Sequence, residues 1–415
     1  MKKPELLAPA GNMEKLKFAF RYGADACYLA GQAYGLRAGA GNFTLESMKE
    51  ALAFAREGGK KIYVTVNIFP HNEDLVGLPE YLTALQDLGV DGVIVADPGV
   101  FLLAKEYCPN LSIHISTQAN STSWASVKFW EEQGAGRIVL AREISLEDIK
   151  EIRQKVKVNL EAFIHGAMCI SYSGRCLMSN YMIGRDANRG ECAHPCRWKY
   201  YLVEEKRPGE YYPVQEDQRG TYIFNSKDMC LLEHIPELVE AGINSFKIEG
   251  RMKSVHYVAT VVKAYREAID AYFANPQGYR VNPQWQMELA KVSHRDYFTG
   301  FYFDKPKTED HNYTTSQYVR SYDFVGVVRE YCPESKTAVI EERNRIHVGE
   351  ELEFLGPAGP AFRAELVKMW DEETKEEIQV APHPHQIVRI PLEISVKPYT
   401  LVRRFAGDKP KETQR

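Results

Sequence analysis

Apolar runs of strand character alternate with helix-patterned stretches through residue 249. The runs are Glu5–Pro9, Ala26–Ala30, Ile62–Asn67, Gly92–Ala96, Leu111–Ile115, Arg137–Leu140, Asn159–Ile164 and Ser245–Glu249. Their apolar residues do not alternate with polar ones, which suits strands covered on both faces, as in a parallel sheet. Helix signals fill the gaps. Thr44 is placed to N-cap a stretch carrying Leu45, Met48 and Leu52 and ending at Gly58-Gly59. Pro79 suits the first turn of a helix with Leu82, Leu85 and Leu88, closed by Gly89. Ser145 caps Leu146–Lys155, and Val255, Val258, Val262, Tyr265 and Ile269 mark the last expected helix. Eight strands alternating with helices predict a closed (β/α)8 TIM-like barrel. An open dinucleotide-binding sheet would want Gly-x-Gly-x-x-Gly after the first strand; Ala10-Gly11-Asn12 stands there instead, and Gly39-Ala40-Gly41 is followed by Thr44 at the third position.

The link between the seventh and eighth strands is much the longest. This insertion, about 166–243, includes a polar stretch, Glu204–Gly220, that reads as an exposed hairpin or loop. It leaves a strand's C-terminal end, so it belongs at the mouth where barrel enzymes do their chemistry. The barrel is expected to span 1–305. Beyond it, Phe324–Val328, Thr337–Ile340, Glu351–Leu355 and Ile387–Ile390 read as strands of a small all-β barrel domain over 306–402, with 403–415 a flexible polar tail.

Composition narrows the class. The chain has 415 residues, 44% hydrophobic and 26% charged, as an ordinary globular protein does. A net charge of −4 argues against a generic nucleic-acid binder, though not against a local basic patch. No run approaches the roughly 20 apolar residues of a membrane span, and the N-terminus lacks a signal peptide's apolar segment, so a cytoplasmic location is expected. Five of the eight cysteines cluster as Cys169-x6-Cys176-x15-Cys192-x3-Cys196-x33-Cys230, while Cys27, Cys108 and Cys332 are scattered and read as structural. In a reducing compartment a thiol cluster points to a metal or redox site. Wide, unequal spacing without Cys-x2-Cys knuckles suits iron–sulfur better than zinc, with mere packing the remaining reading. Five thiols exceed the needs of a four-ligand site, so one is spare, labile or catalytic.

Glu161-Ala-Phe-Ile-His-Gly-Ala-Met-Cys169, followed by Ser173-Gly-Arg-Cys-Leu-Met-Ser179, resembles the signature of peptidase family U32, the collagenase-like proteases. Glu5–Gly11, Ser116–Asn120, Asn225–Cys230 and Lys247–Arg251 resemble the same family. The resemblance implies an iron–sulfur protein with a 4Fe-4S cluster, taking part in prephenate-dependent 5-hydroxylation of the wobble uridine of tRNA. Its implied partners are the tRNA anticodon region and a shorter paralogue. It places ligands at Cys169, Cys176, Cys192 and Cys230, with Cys196 as the fifth candidate. The family name keeps a peptidase as an alternative, although His-Glu-x-x-His and Gly-x-Ser-x-Gly are absent from the chain. A non-catalytic cluster-bearing assembly partner of the paralogue is the third reading.

Residues at strand C-termini should line the mouth. A small dicarboxylate such as prephenate needs cations, and the guanidinium fork suits carboxylates, so Arg37, Arg142 and Arg251, with Lys247 and Gln118, are candidate substrate contacts. The alternative for each is a loop-tying ion pair, for example Arg142 with Glu249. His165, Glu161 and Glu249 are candidate acid–base groups. Glu161 lies mid-strand, so it must be catalytic or bonded to an interior base; His114 reads as an inner-layer group. Arg295–Phe303 offers aromatics beside a cation for RNA, or packing between domains.

Overall fold

The computed structural model describes residues 2–35, 41–169, 171–173, 175–185, 187, 191–197, 201–202, 212–213, 227–304 and 321–407. Eight parallel strands close a barrel: β1 (Glu5–Pro9), β2 (Ala26–Ala30), β3 (Lys61–Val66), β4 (Gly92–Val95), β5 (Ile113–Ile115), β6 (Arg137–Val139), β7 (Asn159–Ala167) and, after the insertion, β11 (Ser245–Ile248). Each of β1 to β7 pairs with its neighbour in sequence, and β11 pairs with both β7 and β1. The expected TIM-like fold is therefore present, with every strand in the expected place. Six helices form the outer ring before the insertion: α1 (Met13–Arg21), α2 (Leu45–Glu57), α3 (Leu78–Leu88), α4 (Pro98–Tyr107), α5 (Trp124–Glu132) and α6 (Leu146–Lys155). Their ends follow local chemistry. Thr44 Oγ1 accepts from Ser47 N, Ser145 accepts from Asp148 N in a capping box, and Gly89 ends α3 in the left-handed region.

The insertion carries α7 (Met178–Ile183), a short ladder of β8 (Tyr201–Leu202) with β9 (Tyr212–Pro213), and β10 (Asp228–Cys230), followed by α8 (Ile235–Glu240). Apart from Tyr212–Pro213, the stretch Glu204–Gly220 lies outside the described residues. β10 runs antiparallel to β7 and adds β12 (Tyr297–Phe298) on its far side.

Helix α9 (Val255–Ala274) is buried nearly all round, not along one stripe, because further structure covers its outer face. One cover is α10 (Pro283–Ala290), a helix the apolar pattern does not announce; Asn282 caps it and only Trp285 and Leu289 are buried. The other is the C-terminal domain. Its strands are β13 (Tyr322–Cys332), β14 (Thr337–Glu342), β15 (Ile346–His347), β16 (Glu351–Leu355), β17 (Phe362–Glu365), β18 (Trp370–Asp371), β19 (Val380–Ala381), β20 (Ile387–Pro391) and β21 (Leu401–Phe405). Seven of them form an antiparallel half-barrel sheet in the order β17-β16-β21-β13-β14-β20-β18. The expected polar tail starts too early: β21 runs to Phe405, and Arg403 within it is 0% exposed. Arg403 is buried because Glu353, opposite it on β16, and Glu288, across the domain boundary on α10, neutralise it, and His256 lies against it. Val327, Leu355 and Leu401 join the barrel's own apolar core, and the Tyr22 hydroxyl lies 2.7 Å from the Leu355 carbonyl, so the two units share one interior.

Candidate active site

The C-terminal ends of β3, β5, β6, β7 and β11 converge on a cavity of about 140 Å³ at the barrel mouth. Asn67, Ser116 and Gln118 form one wall. Asn67 Nδ2 lies 3.4 Å from Ser116 Oγ and 3.3 Å from Gln118 Oε1, and Ser116 also bonds Gln118. On the opposite wall Arg142 lies over the Phe163 ring, 3.8 Å from guanidinium carbon to ring centroid. It donates to the Ala167 carbonyl at 3.1 Å and meets Glu249 Oε2 at 3.4 Å. The loop-tying pair weighed for Arg142 thus exists, yet the Arg142 Nε is buried with no hydrogen-bond partner in the described structure. Arg251 reaches in from beyond β11, donating to Asn42 Oδ1 at 2.8 Å and Thr65 Oγ1 at 3.3 Å.

Two glycines permit these approaches. Gly166 has φ +112°, and a Cβ there would stand 2.8 Å from the Glu249 carbonyl, so only glycine lets β7 and the Glu249 segment close together. A Cβ on Gly11 would meet the Arg251 carbonyl at 2.5 Å.

The cavity floor is ionic. Lys247 Nζ bonds Glu161 Oε1 at 2.7 Å, and Arg137 binds Glu161 Oε2 at 2.8 Å and Glu5 Oε1 at 2.6 Å. Strand register explains the layer, because Ser245 stands level with both Glu5 and Glu161. Glu161 is 0% exposed and does not line the cavity; it is bonded to interior bases, the non-catalytic of its two readings. Burial alone would raise its carboxyl, but Lys247, Arg137 and His114 outweigh that and hold it down at about 2. A carboxylate lowered in the fold contributes stability above its unfolded value near 4.3 that is lost as pH falls toward 2. Urea unfolding between pH 5 and pH 2.5 should therefore show a steeper loss for wild type than for Glu161→Gln; equal slopes would remove Glu161 from the acid response.

His165 faces away from the mouth. Its ring is 1% exposed and packs against Tyr257, Tyr265 and Tyr297, with Nδ1 3.3 Å from the Tyr265 hydroxyl. Burial pushes it down to about 3, so it is neutral and unsuited to donate a proton in the cavity. His114 is 3% exposed and held neutral in the same way, as an inner-layer group. In Arg295–Phe303, Arg295 is 2% exposed and pairs with Asp228, so its place is packing. Arg37 lies outside the described residues.

Four thiols share the mouth cavity: Cys169, Cys176, Cys192 and Cys196. Burial first, then the neighbouring Cys169 and Cys192, raise the Cys176 thiol. Cys230 is elsewhere. It lines a separate cavity with Leu232 and Tyr297, 3.7 Å from the Tyr265 hydroxyl, and burial pushes its thiol up to about 11. The cavity thus gathers Cys196, the fifth candidate, in place of Cys230. Soft donors around one cavity fit an iron–sulfur group, although among the described residues no three donors already stand at single-ion spacing. His194 and Ser173 also line the cavity. In the sequence only its place between Cys192 and Cys196 marks His194.

Among the described residues no helix is long and apolar enough to cross a membrane. Residues 11–312 match the model of peptidase family U32, and residues 320–403 match the family's C-terminal domain. The chain is 46% identical over 403 residues to tRNA hydroxylation protein P1 of Bacillus subtilis (strain 168), covering 97% of this chain and 95% of that protein. It is 36% identical over 309 residues to tRNA hydroxylation protein P2 of the same organism, covering 73% of this chain and 98% of that one. It is 30% identical over 417 residues to a protein named collagenase from Porphyromonas gingivalis (strain ATCC BAA-308 / W83), covering 97% of each. With both of its domains matched along nearly their whole length, the chain belongs to peptidase family U32.

Proposed function

We propose that this chain takes part in the 5-hydroxylation of the wobble uridine of tRNA, with a prephenate-type dicarboxylate and an iron–sulfur group at the barrel mouth. The observation that carries the reading is the shared lining of one cavity by four cysteines and the cations Arg142, Lys247 and Arg251. The near full-length likeness to a protein named for tRNA hydroxylation supplies the substrate class.

Cys169, Cys176 and Cys192 would hold the group, with Cys196 the fourth thiol of the cavity. When bound, it would supply one-electron chemistry beside the substrate. The chain's own residues do the rest. Arg251, which donates to Asn42 and Thr65 and lines the cavity, would bring its guanidinium to one carboxylate. Arg142 offers its buried Nε to the other. Glu249 orients Arg142 from behind, and Asn67 with Gln118 presents amide groups to a hydroxyl or a base edge. A shorter paralogue is the proposed partner.

The test is mass spectrometry of nucleosides from bulk tRNA in a deletion strain, rescued by wild type or by Arg142→Ala. Hydroxylated uridine is expected to fall in the deletion, return with wild type, and stay at least about tenfold lower with Arg142→Ala, since a charge-assisted bond of about 1.5–3 kcal/mol is lost. An unchanged nucleoside pattern, with any redundant route removed, would sink the reading and leave peptide hydrolysis to be assayed.

A further inference from the structure

A second cavity, of about 540 Å³, opens in the C-terminal domain beyond the end of β14. Glu342 lines it and is 2% exposed, and its Oε2 is buried without a hydrogen-bond partner in the described structure. An orphaned carboxylate oxygen in a native interior is costly and calls for a donor. Burial raises the Glu342 carboxyl against the pull of His385, Arg343 and Arg345. Arg343 and Arg404 are braced walls: Arg343 pairs with Glu14 and Glu341, and Arg404 with Glu350. Arg345 differs. It is exposed, lines the cavity, and its guanidinium makes no hydrogen bond or ion pair among the described residues. Pro382 and Pro384 add apolar surface that needs no hydrogen-bond partner.

One acceptor without a donor, one unengaged guanidinium and a pair of proline rings match the parts of a nucleotide. An exocyclic amine donates to a carboxylate, a phosphate takes an arginine fork, and the ring lies on apolar surface. The volume suits a small ligand. Uracil would turn a carbonyl toward Glu342 where cytosine turns an amine. The location suits an RNA that also enters the barrel. Glu14, the partner of Arg343, lies in the first turn of α1. Its neighbour Lys15 donates to the carbonyl of Arg251, which lines the mouth.

We propose that this pocket binds one unstacked nucleotide of single-stranded RNA whose base carries an exocyclic amine, with the amine on Glu342 and a phosphate on Arg345. The proposal rests on the tRNA reading above and adds a second contact, outside the mouth, that selects against uridine.

The test uses the full chain and fluorescence anisotropy with labelled rC6 and rU6, two oligomers that differ at the amine. Wild type is expected to bind rC6 about tenfold tighter or more than rU6, as one good base contact allows. Glu342→Ala should erase that difference. Arg345→Ala, at an exposed position that leaves the fold alone, should weaken both oligomers alike and lower the salt slope by about one. Equal binding of rC6 and rU6, no effect of Arg345→Ala, or displacement of rC6 by an acidic peptide but not by tRNA would overturn the proposal. The two readings fail separately. Loss of oligomer selectivity with intact nucleoside rescue removes only this pocket, and selectivity without a nucleoside phenotype removes only the hydroxylation reading.

Discussion

A Cys176→Ala protein is expected to fold, to lose its iron and acid-labile sulfide, and to leave hydroxylated uridine at the level of the deletion strain. The side chain is half-buried and lines the mouth with Cys169, Cys192 and Cys196. Truncating it removes little apolar contact, so circular dichroism and the unfolding midpoint should barely move. Its chemical loss is large. A thiolate-ligated group binds through deprotonated sulfurs from several segments, and removing one leaves a corner open to water and exchange. Iron and sulfide analysis of the purified chain reads this without any activity assay. Wild-type iron content in Cys176→Ala would remove the cysteines from the role given them here. The same analysis of Cys196→Ala beside Cys230→Ala assigns the fourth corner, since the first thiol shares the mouth cavity and the second lines a different one.

Arg403→Met is expected to lower unfolding stability by about 3–5 kcal/mol, the range for breaking a buried ion pair from one side. Arg403 is 0% exposed, and the substitution would leave Glu288 and Glu353 facing each other across the domain boundary. Lys291, 2.9 Å from Glu353 and 2.8 Å from Glu288, softens the loss without replacing the guanidinium. Because the half-barrel covers α9 and shares the barrel's core, the loss should register as unfolding of the whole molecule. Urea denaturation followed by tryptophan fluorescence measures it. A loss under about 1 kcal/mol would show the pair behaving as a solvated surface bridge.

The barrel was legible in the sequence because its determinants are local. Runs such as Ile62–Val66 and Val93–Val95 are apolar on both faces, and Thr44, Ser145 and Gly89 mark helix ends by their own hydrogen bonding or left-handed backbone. The supply of thiols at the mouth followed from the cysteine spacing and from the rule that an insertion after a barrel strand lies at its C-terminal end. Position in sequence did not reveal side-chain direction. The backbone changes hand at Gly166 and the β7–β11 register shifts beside Ile248, so His165 turns toward α9 while Phe163 and Ala167 line the cavity. For the same reason Cys230, paired opposite His165 on β10, parts from the other four clustered cysteines. Charge misled in a second way. Arg403 and Arg404 look like a soluble tail and Glu161 looks catalytic, yet carboxylates or bases distant in sequence neutralise them. The alternation of elements, the barrel they close and the cysteines available to its mouth are written in local pattern, because caps, apolar runs and spacings act over a few residues. Which of those cysteines share a cavity, which charges are structural and where a carboxylate oxygen is left without a donor emerge in the folded chain alone, because these depend on groups brought together from distant parts of the sequence.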